Sequence, residues 1–205
     1  MNRERPDETS AKWPAPEETL EMMHVASPHP AVIDVDDLVG QCTFRTQTRS
    51  GPGGQHRNRT ASGVFVAYHA DELPTGITAE ATEQRNQHRN RTVAIQRLRY
   101  VMAVSVRTAS MLASPSQNLT SNPLESELHR KYQGSALKLA DDNPDKPGLL
   151  ALVLNDMHLA GGQPSLVVSH WQVSTSRLVG LLKSHGAAWT LVNRIRAHHG
   201  RLPLR

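Results

Sequence analysis

The run Arg49-Ser50-Gly51-Pro52-Gly53-Gly54-Gln55-His56-Arg57-Asn58-Arg59 presents one glutamine, behind paired glycines, among cations. A glutamine amide neither ionises nor usefully accepts a proton, so Gln55 is excluded as the general base of an ordinary hydrolase. Its value is positional. Gly53 and Gly54 permit backbone conformations closed to residues with a Cβ and let a chain enter a narrow cavity. The Gln55 backbone N–H is then free to donate to negative charge developing on oxygen, as oxyanion donors do. Arg49, Arg57 and Arg59, with Arg85, Arg89 and Arg91 downstream, supply charge that would neutralise phosphates and hold such a loop in register on RNA.

Two further blocks follow, Leu73-Pro74-Thr75-Gly76-Ile77 and Arg85-Asn86-Gln87-His88-Arg89-Asn90. A lone Gly-Gly-Gln is weak, but the three blocks in this order over roughly residues 40 to 110 are specific. This part of the chain resembles the catalytic domain of bacterial class I peptide chain release factors and their ribosome-rescue relatives. The resemblance implies hydrolysis of the ester that joins a nascent peptide to tRNA, with Gly53, Gly54 and Gln55 as the catalytic tripeptide. It implies that the glutamine side chain helps order the attacking water while the terminal ribose hydroxyl of the tRNA takes part in proton transfer, without cofactor or metal. Arg49, His56, Arg57, Asn58, Arg59, Arg85, Gln87, His88, Arg89, Asn90 and Arg91 are the implied contacts to rRNA and tRNA. The implied partners are the ribosome at its peptidyl transferase centre, peptidyl-tRNA and rRNA, with a glutamine methyltransferase acting on Gln55. Three positions depart from the family pattern: Arg57 stands where a small aliphatic is usual, Ala61 replaces an acidic residue, and Asn86 replaces serine. The extra cation favours RNA, whereas the lost carboxylate loosens local ordering.

The net charge of +4 averages an acidic start and a basic middle, the footprint of a polyanion-binding domain beside a separate solvated arm. Cys42 is the only cysteine, which excludes an internal disulfide and a thiolate zinc site. The 11 histidines are scattered and suggest no metal centre. No apolar signal segment opens the sequence and no stretch approaches a membrane span, so the expectation is a cytoplasmic protein with no membrane partner.

With 205 residues, 38% of them hydrophobic, the chain is expected to hold two small modules and connecting segments. Residues 1–31, acidic and proline-punctuated, are expected to be a disordered arm. Residues 32–112 are expected to form the release-factor-like domain. Thr43 to Thr48 reads as a strand into the loop, Val64, Val66 and Tyr68 alternate as an inward face, and Ile77 to Thr82 returns as a strand. From Asn86 the period becomes helical: Ala94, Ile95, Leu98, Val101, Met102 and Ser105 make one stripe, with Arg91, Arg97, Arg99 and Arg107 off it. Residues 113–145 read as linker with a helix candidate at Leu124 to Leu139. Residues 146–205 read as a helical module. The fold class is thus α+β, a small sheet packed on a long helix, followed by a small all-helical, helix-turn-helix-like domain.

In that last module an amphipathic helix after Pro147 stops at Gly161-Gly162, and the spacing of Val167, Trp171, Val173, Leu178 and Leu181 is that of two short helices about a tight turn. Gln172 occupies the position of the usual turn glycine. Thr175, Ser176, Arg177, Arg194 and Arg196 are the candidate nucleic-acid contacts there, against a purely structural bundle. The second Gly-Gly-Gln, residues 161–163, lacks cationic flanks and precedes Pro164, so it reads as a helix stop followed by a helix start.

Only about 35 residues precede the Gly-Gly-Gln domain, too few for a codon-reading domain, and no long basic tail follows it. The leading expectation is a codon-independent peptidyl-tRNA hydrolase acting on stalled ribosomes. The alternatives are a non-catalytic accessory protein that binds ribosome or RNA, and a DNA-binding regulator built on the helix-turn-helix.

Overall fold

The computed structural model describes residues 13–48, 62–112 and 122–205. Among them are seven α-helices, a three-stranded antiparallel sheet and a two-stranded parallel ribbon. The α+β class is as expected: a small sheet lies on a long helix and the rest of the chain is helical.

The sheet is a meander of β2 (Cys42–Gln47), β3 (Gly63–Tyr68) and β4 (Ile77–Ala81). The alternating apolar residues behave as the period of two requires: Val64, Val66 and Tyr68 are buried, while Phe65 is only half-buried. The β3–β4 connection leaves no room at Gly76, where a Cβ would come within 2.8 Å of the Tyr68 carbonyl oxygen and the His69 ring. The buried face packs on α2 (Gln87–Ser105), which starts where Asn86 accepts hydrogen bonds from His88 N at 2.8 Å and Arg89 N at 3.3 Å. The Asn86 departure therefore keeps the capping chemistry of the serine it replaces. At the end of α2 the chain extends as β5 (Val106–Arg107).

Part of the expected arm is ordered. Met23–His24 forms β1, paired in parallel with β5, and Leu20, Met22 and Val25 pack on the core. Those apolar residues lie among the acidic ones and outweigh them once β5 offers open backbone groups; residues 1–12 lie outside the described residues. A short helix α1 (Val35–Gly40), capped by Asp34, leads into β2.

Beyond α2 come α3 (Pro123–Tyr132) and α4 (Lys146–Leu159). The stripe expected on α4 is a full cylinder instead, with every residue from Lys146 to His158 buried, because α2, α3 and the helices over Pro164–Trp171 and Gly186–His198 all pack around it. It stops as the glycines predicted: Gly161 and Gly162 have φ of +57° and +74°, and Gly162 N donates to Met157 O at 2.8 Å. Pro164 then opens α5 (Pro164–Trp171), followed by α6 (Thr175–Lys183) and α7 (Gly186–His198). Gln172, between α5 and α6, adopts the left-handed conformation that glycine usually supplies, with φ +51° and ψ +42°. Among the described residues the buried apolar side chains form one cluster that runs from Ala31 to Ile195.

Two arginines of the long helix and its exit belong to this interior. Arg99 donates to Ala31 O and Pro144 O, both at 2.7 Å. Arg107 donates to Asn155 Oδ1 at 3.1 Å and to the Ala103 carbonyl. Neither joins a solvated basic face, because carbonyl groups distant in sequence converge on both guanidinium groups.

Candidate functional site

The segment bearing Arg49, Gly53, Gly54, Gln55, His56, Arg57, Asn58 and Arg59 lies outside the described residues, and so does Ala61. Its two attachment points are defined. Gln47, at the end of β2, is register partner of Gly63, at the start of β3, so the chain leaves and re-enters the sheet at adjacent positions.

The third block is placed at that same end of the sheet. Asn90, on the first turn of α2, is fully buried. Its Nδ2 donates to Ser62 O at 2.6 Å and to Gln84 O at 2.9 Å, while Oδ1 accepts from Gln84 N at 2.9 Å. The amide orientation that satisfies both carbonyls and the N–H is the only self-consistent one. Asn90 is therefore not an RNA contact, since its hydrogen-bonding atoms are consumed within the protein. It is a positioning residue that joins the residue following the 49–61 segment to the third block and to α2. The sequence placed it in the right block but gave no signal of its burial.

Arg85, Gln87, His88 and Arg89 are exposed, as a role toward an external polyanion requires. Arg91 is half-buried, with its guanidinium carbon 3.6 Å from the centre of the Phe44 ring, a cation–π contact that ties α2 to β2. Between them lies an open groove of about 400 Å³ lined by Phe44, Thr46, Val64, Gln87, His88 and Arg91. Arg45 adds a cation on β2, 5.0 Å over Phe65, which the sequence left unassigned. Arg97 pairs with Glu83 at 2.6 Å; hydrogen bonds from backbone and from Arg97 hold that exposed carboxyl below its ordinary range.

Among the described residues this surface holds donors and cations, with Arg85, Gln87, His88 and Arg89 exposed on it. Burial pushes the Cys42 thiol up to about 11 against the opposing pull of Arg91, which makes it a poor nucleophile. No group of three or more acidic, histidine or cysteine ligands capable of holding a metal occurs among the described residues.

The candidates in the helical part divide. Thr175, Ser176 and Arg177 are exposed at the start of α6, and Arg194 is exposed on α7. Arg196 is buried: its Nη1 donates to Gly162 O and its Nε to Leu202 O, both at 2.6 Å. It is thus removed from the contact surface, because the glycine stop after α4 offers it a carbonyl. Gln163 of the second Gly-Gly-Gln is buried too, with Nε2 donating to Ala160 O at 3.1 Å. No helix of the described residues is long and apolar enough to cross a membrane.

Comparison with known proteins agrees with this geometry. The model of the RF-1 domain matches residues 33–136. Peptide chain release factor 1 of Nitratidesulfovibrio vulgaris (strain DP4) is 30% identical over 116 residues, covering 56% of this chain and 31% of the relative. The protein of the same name from Acidiphilium cryptum (strain JF-5) is 36% identical over 99 residues, 45% of this chain and 27% of the relative. That from Delftia acidovorans (strain DSM 14801 / SPH-1) is 41% identical over 88 residues, 43% and 20% respectively. The chain thus spans no more than about a third of the length of these relatives. No solved structure matches. The family match takes in β2, β3, β4 and α2 together with both ends of the Gly-Gly-Gln segment, and the chain belongs to the RF-1 domain family, that of the release-factor Gly-Gly-Gln domain.

Proposed function

We propose that the protein hydrolyses peptidyl-tRNA on stalled ribosomes without reading a codon. The observation that carries this reading is the conjunction of an intact Gly53-Gly54-Gln55 with a third block latched to Ser62 and an exposed row of Arg85, Gln87, His88 and Arg89 beside it. In this reading water attacks the ester carbonyl and the Gln55 N–H stabilises the oxyanion. The bond from carbonyl carbon to ribose oxygen breaks, and a proton passes to the departing ribose oxygen. Ribosomal RNA supplies most of the site, so the protein needs neither acid, base nor metal. Gln55 is the proposed target of a glutamine methyltransferase, and a cytoplasmic setting follows from the ribosome as partner. The helical part, through Thr175, Ser176, Arg177 and Arg194, is proposed as an element that recognises ribosome or RNA.

Release of labelled peptide should be compared on non-stop complexes, on complexes with a sense codon in the decoding site and on complexes with a stop codon. Release independent of the codon supports this function; release confined to stop codons overturns its codon-independent part. A second reading, an accessory ribosome-binding protein that retains the domain with little hydrolysis, is favoured by the neutral Ala61, at which the family pattern that the sequence resembles has an acidic residue. Tight ribosome binding without release on any complex would select it.

A further inference from the structure

The charge of the chain is divided along the sheet. Between residues 13 and 44 there are six carboxylates and no lysine or arginine; of the four carboxylates between 62 and 84, Glu80 and Glu83 lie toward the Gly-Gly-Gln end, where Glu83 pairs with Arg97, and Asp71 and Glu72 lie at the other. Asp34, Asp36, Asp37, Asp71 and Glu72 lie at the end where β2 starts and β3 finishes, opposite the Gly-Gly-Gln attachment points. Strands of six residues separate the two ends by about 20 Å, roughly twice the screening length at physiological salt. The acidic end therefore presents its own field to whatever approaches it.

A groove opens at this end, with a volume of about 590 Å³. Its lining mixes the apolar Val25, Pro28, Ile33 and Ala70 with the polar Ser27 and Gln41. Leu124, 46% exposed, also lines it and is one of five large apolar side chains exposed among the described residues. Asp37 and Glu72 border it; Glu72 accepts a long hydrogen bond of 3.4 Å from Ala26 N. No cation lines the groove. Carboxylates at a rim repel a phosphate backbone, so nucleic acid is disfavoured. Apolar side chains beside two carboxylates, with no lysine or arginine among the described lining residues, instead complement an aliphatic side chain carried between lysines or arginines.

We infer that this groove is a docking site for a basic polypeptide segment of a partner protein, anchored by one aliphatic side chain. One end of the domain would then meet RNA and the other would meet protein. The inference does not depend on hydrolysis, since neither Asp37 nor Glu72 lies at the Gly-Gly-Gln end.

The test uses the full-length chain and three labelled probes in fluorescence anisotropy: a nine-residue lysine peptide with a central leucine, the same peptide with serine in place of leucine, and a nine-nucleotide oligouridylate. The leucine peptide should bind saturably, with the serine peptide clearly weaker. The double variant Asp37→Lys and Glu72→Lys should weaken the leucine peptide about tenfold, as expected when two rim attractions become repulsions. Oligouridylate binding should not weaken in that variant. Leu124→Ser, which leaves the charge unaltered, should reduce binding of the leucine peptide alone. A photoreactive leucine analogue at the centre of the peptide should label Leu124 or the segment 25–33. Equal binding of the two peptides, indifference to the charge reversal, or labelling confined to other parts of the chain would overturn the site.

Discussion

At the scale of single residues, Asn90 shows what the sequence conveys and what it omits. The third block was legible as a unit, yet a polar residue between two arginines gives no sign that it is buried and triply hydrogen-bonded. The same limit applies to Arg99, Arg107 and Arg196, whose carbonyl partners lie far away along the chain or in a helix stop. Helical spacing put the first two off the apolar stripe, and only tertiary convergence of carbonyls makes them interior. Asn90→Ala leaves Ser62 O, Gln84 O and Gln84 N without their partner, and each such loss costs about 1–3 kcal/mol. It should therefore destabilise the chain by at least about 2 kcal/mol in chemical denaturation. Asn90→Asp should do no better, because it keeps one acceptor but turns negative oxygen toward two carbonyls. A loss below about 0.5 kcal/mol in both variants would contradict the latch.

At the scale of elements, the sheet, the long helix and the double-glycine stop were all legible, since each rests on a local period or on a turn residue. The central position of α4 was not: an apolar helix long enough to look amphipathic is indistinguishable in sequence from one covered on every side. The α5–α6 turn was legible in length but not in strain. Gln172 sits in the left-handed region, which costs a residue with a Cβ about 1–2 kcal/mol relative to glycine, and its side chain is exposed. Gln172→Gly should accordingly stabilise the chain by about 1 kcal/mol, read as a higher denaturation midpoint; a lower midpoint would mean that the glutamine side chain makes a compensating contact. At the other end of the molecule, the exposed arginines at the start of α2 should act through charge. Ribosome affinity should fall as salt rises, and each of Arg85→Ala and Arg89→Ala should reduce the log–log slope by about 0.7–0.9. Unchanged slopes would show these arginines to be merely solvated.

Over the whole molecule, ionisable groups shifted by burial contribute to the response of stability to pH. Burial raises the Asp156 carboxyl to about 7, against hydrogen bonds from Ser110 and Trp171, and lowers the His29 imidazole to about 3 and that of His129 to about 4. The signs oppose one another. The contribution of Asp156 is fully present below pH 4 and is lost as pH rises through about 7, whereas those of the two histidines are present above about 6.5 and are lost as pH falls toward 4 and 3. Asp156→Asn retains an acceptor for Trp171 and a donor toward Ser110, and it removes the first limb. Its melting temperature should then rise more steeply than that of the parent between pH 4 and 6.5 and should equal or exceed the parent value at pH 8; profiles of identical shape would contradict the assignment. These groups were invisible as titrating sites in the sequence, because burial is a property of the finished core. The proposed function rests on the opposite end of the scale, on the single glutamine Gln55. Its most direct test is the single-turnover rate of labelled-peptide release from non-stop ribosome complexes at saturating protein, for the parent chain, Gln55→Ala and Gln163→Ala. The account predicts release by the parent and by Gln163→Ala, with a loss of about 100-fold or more for Gln55→Ala at unchanged ribosome affinity; undiminished release by Gln55→Ala would contradict it.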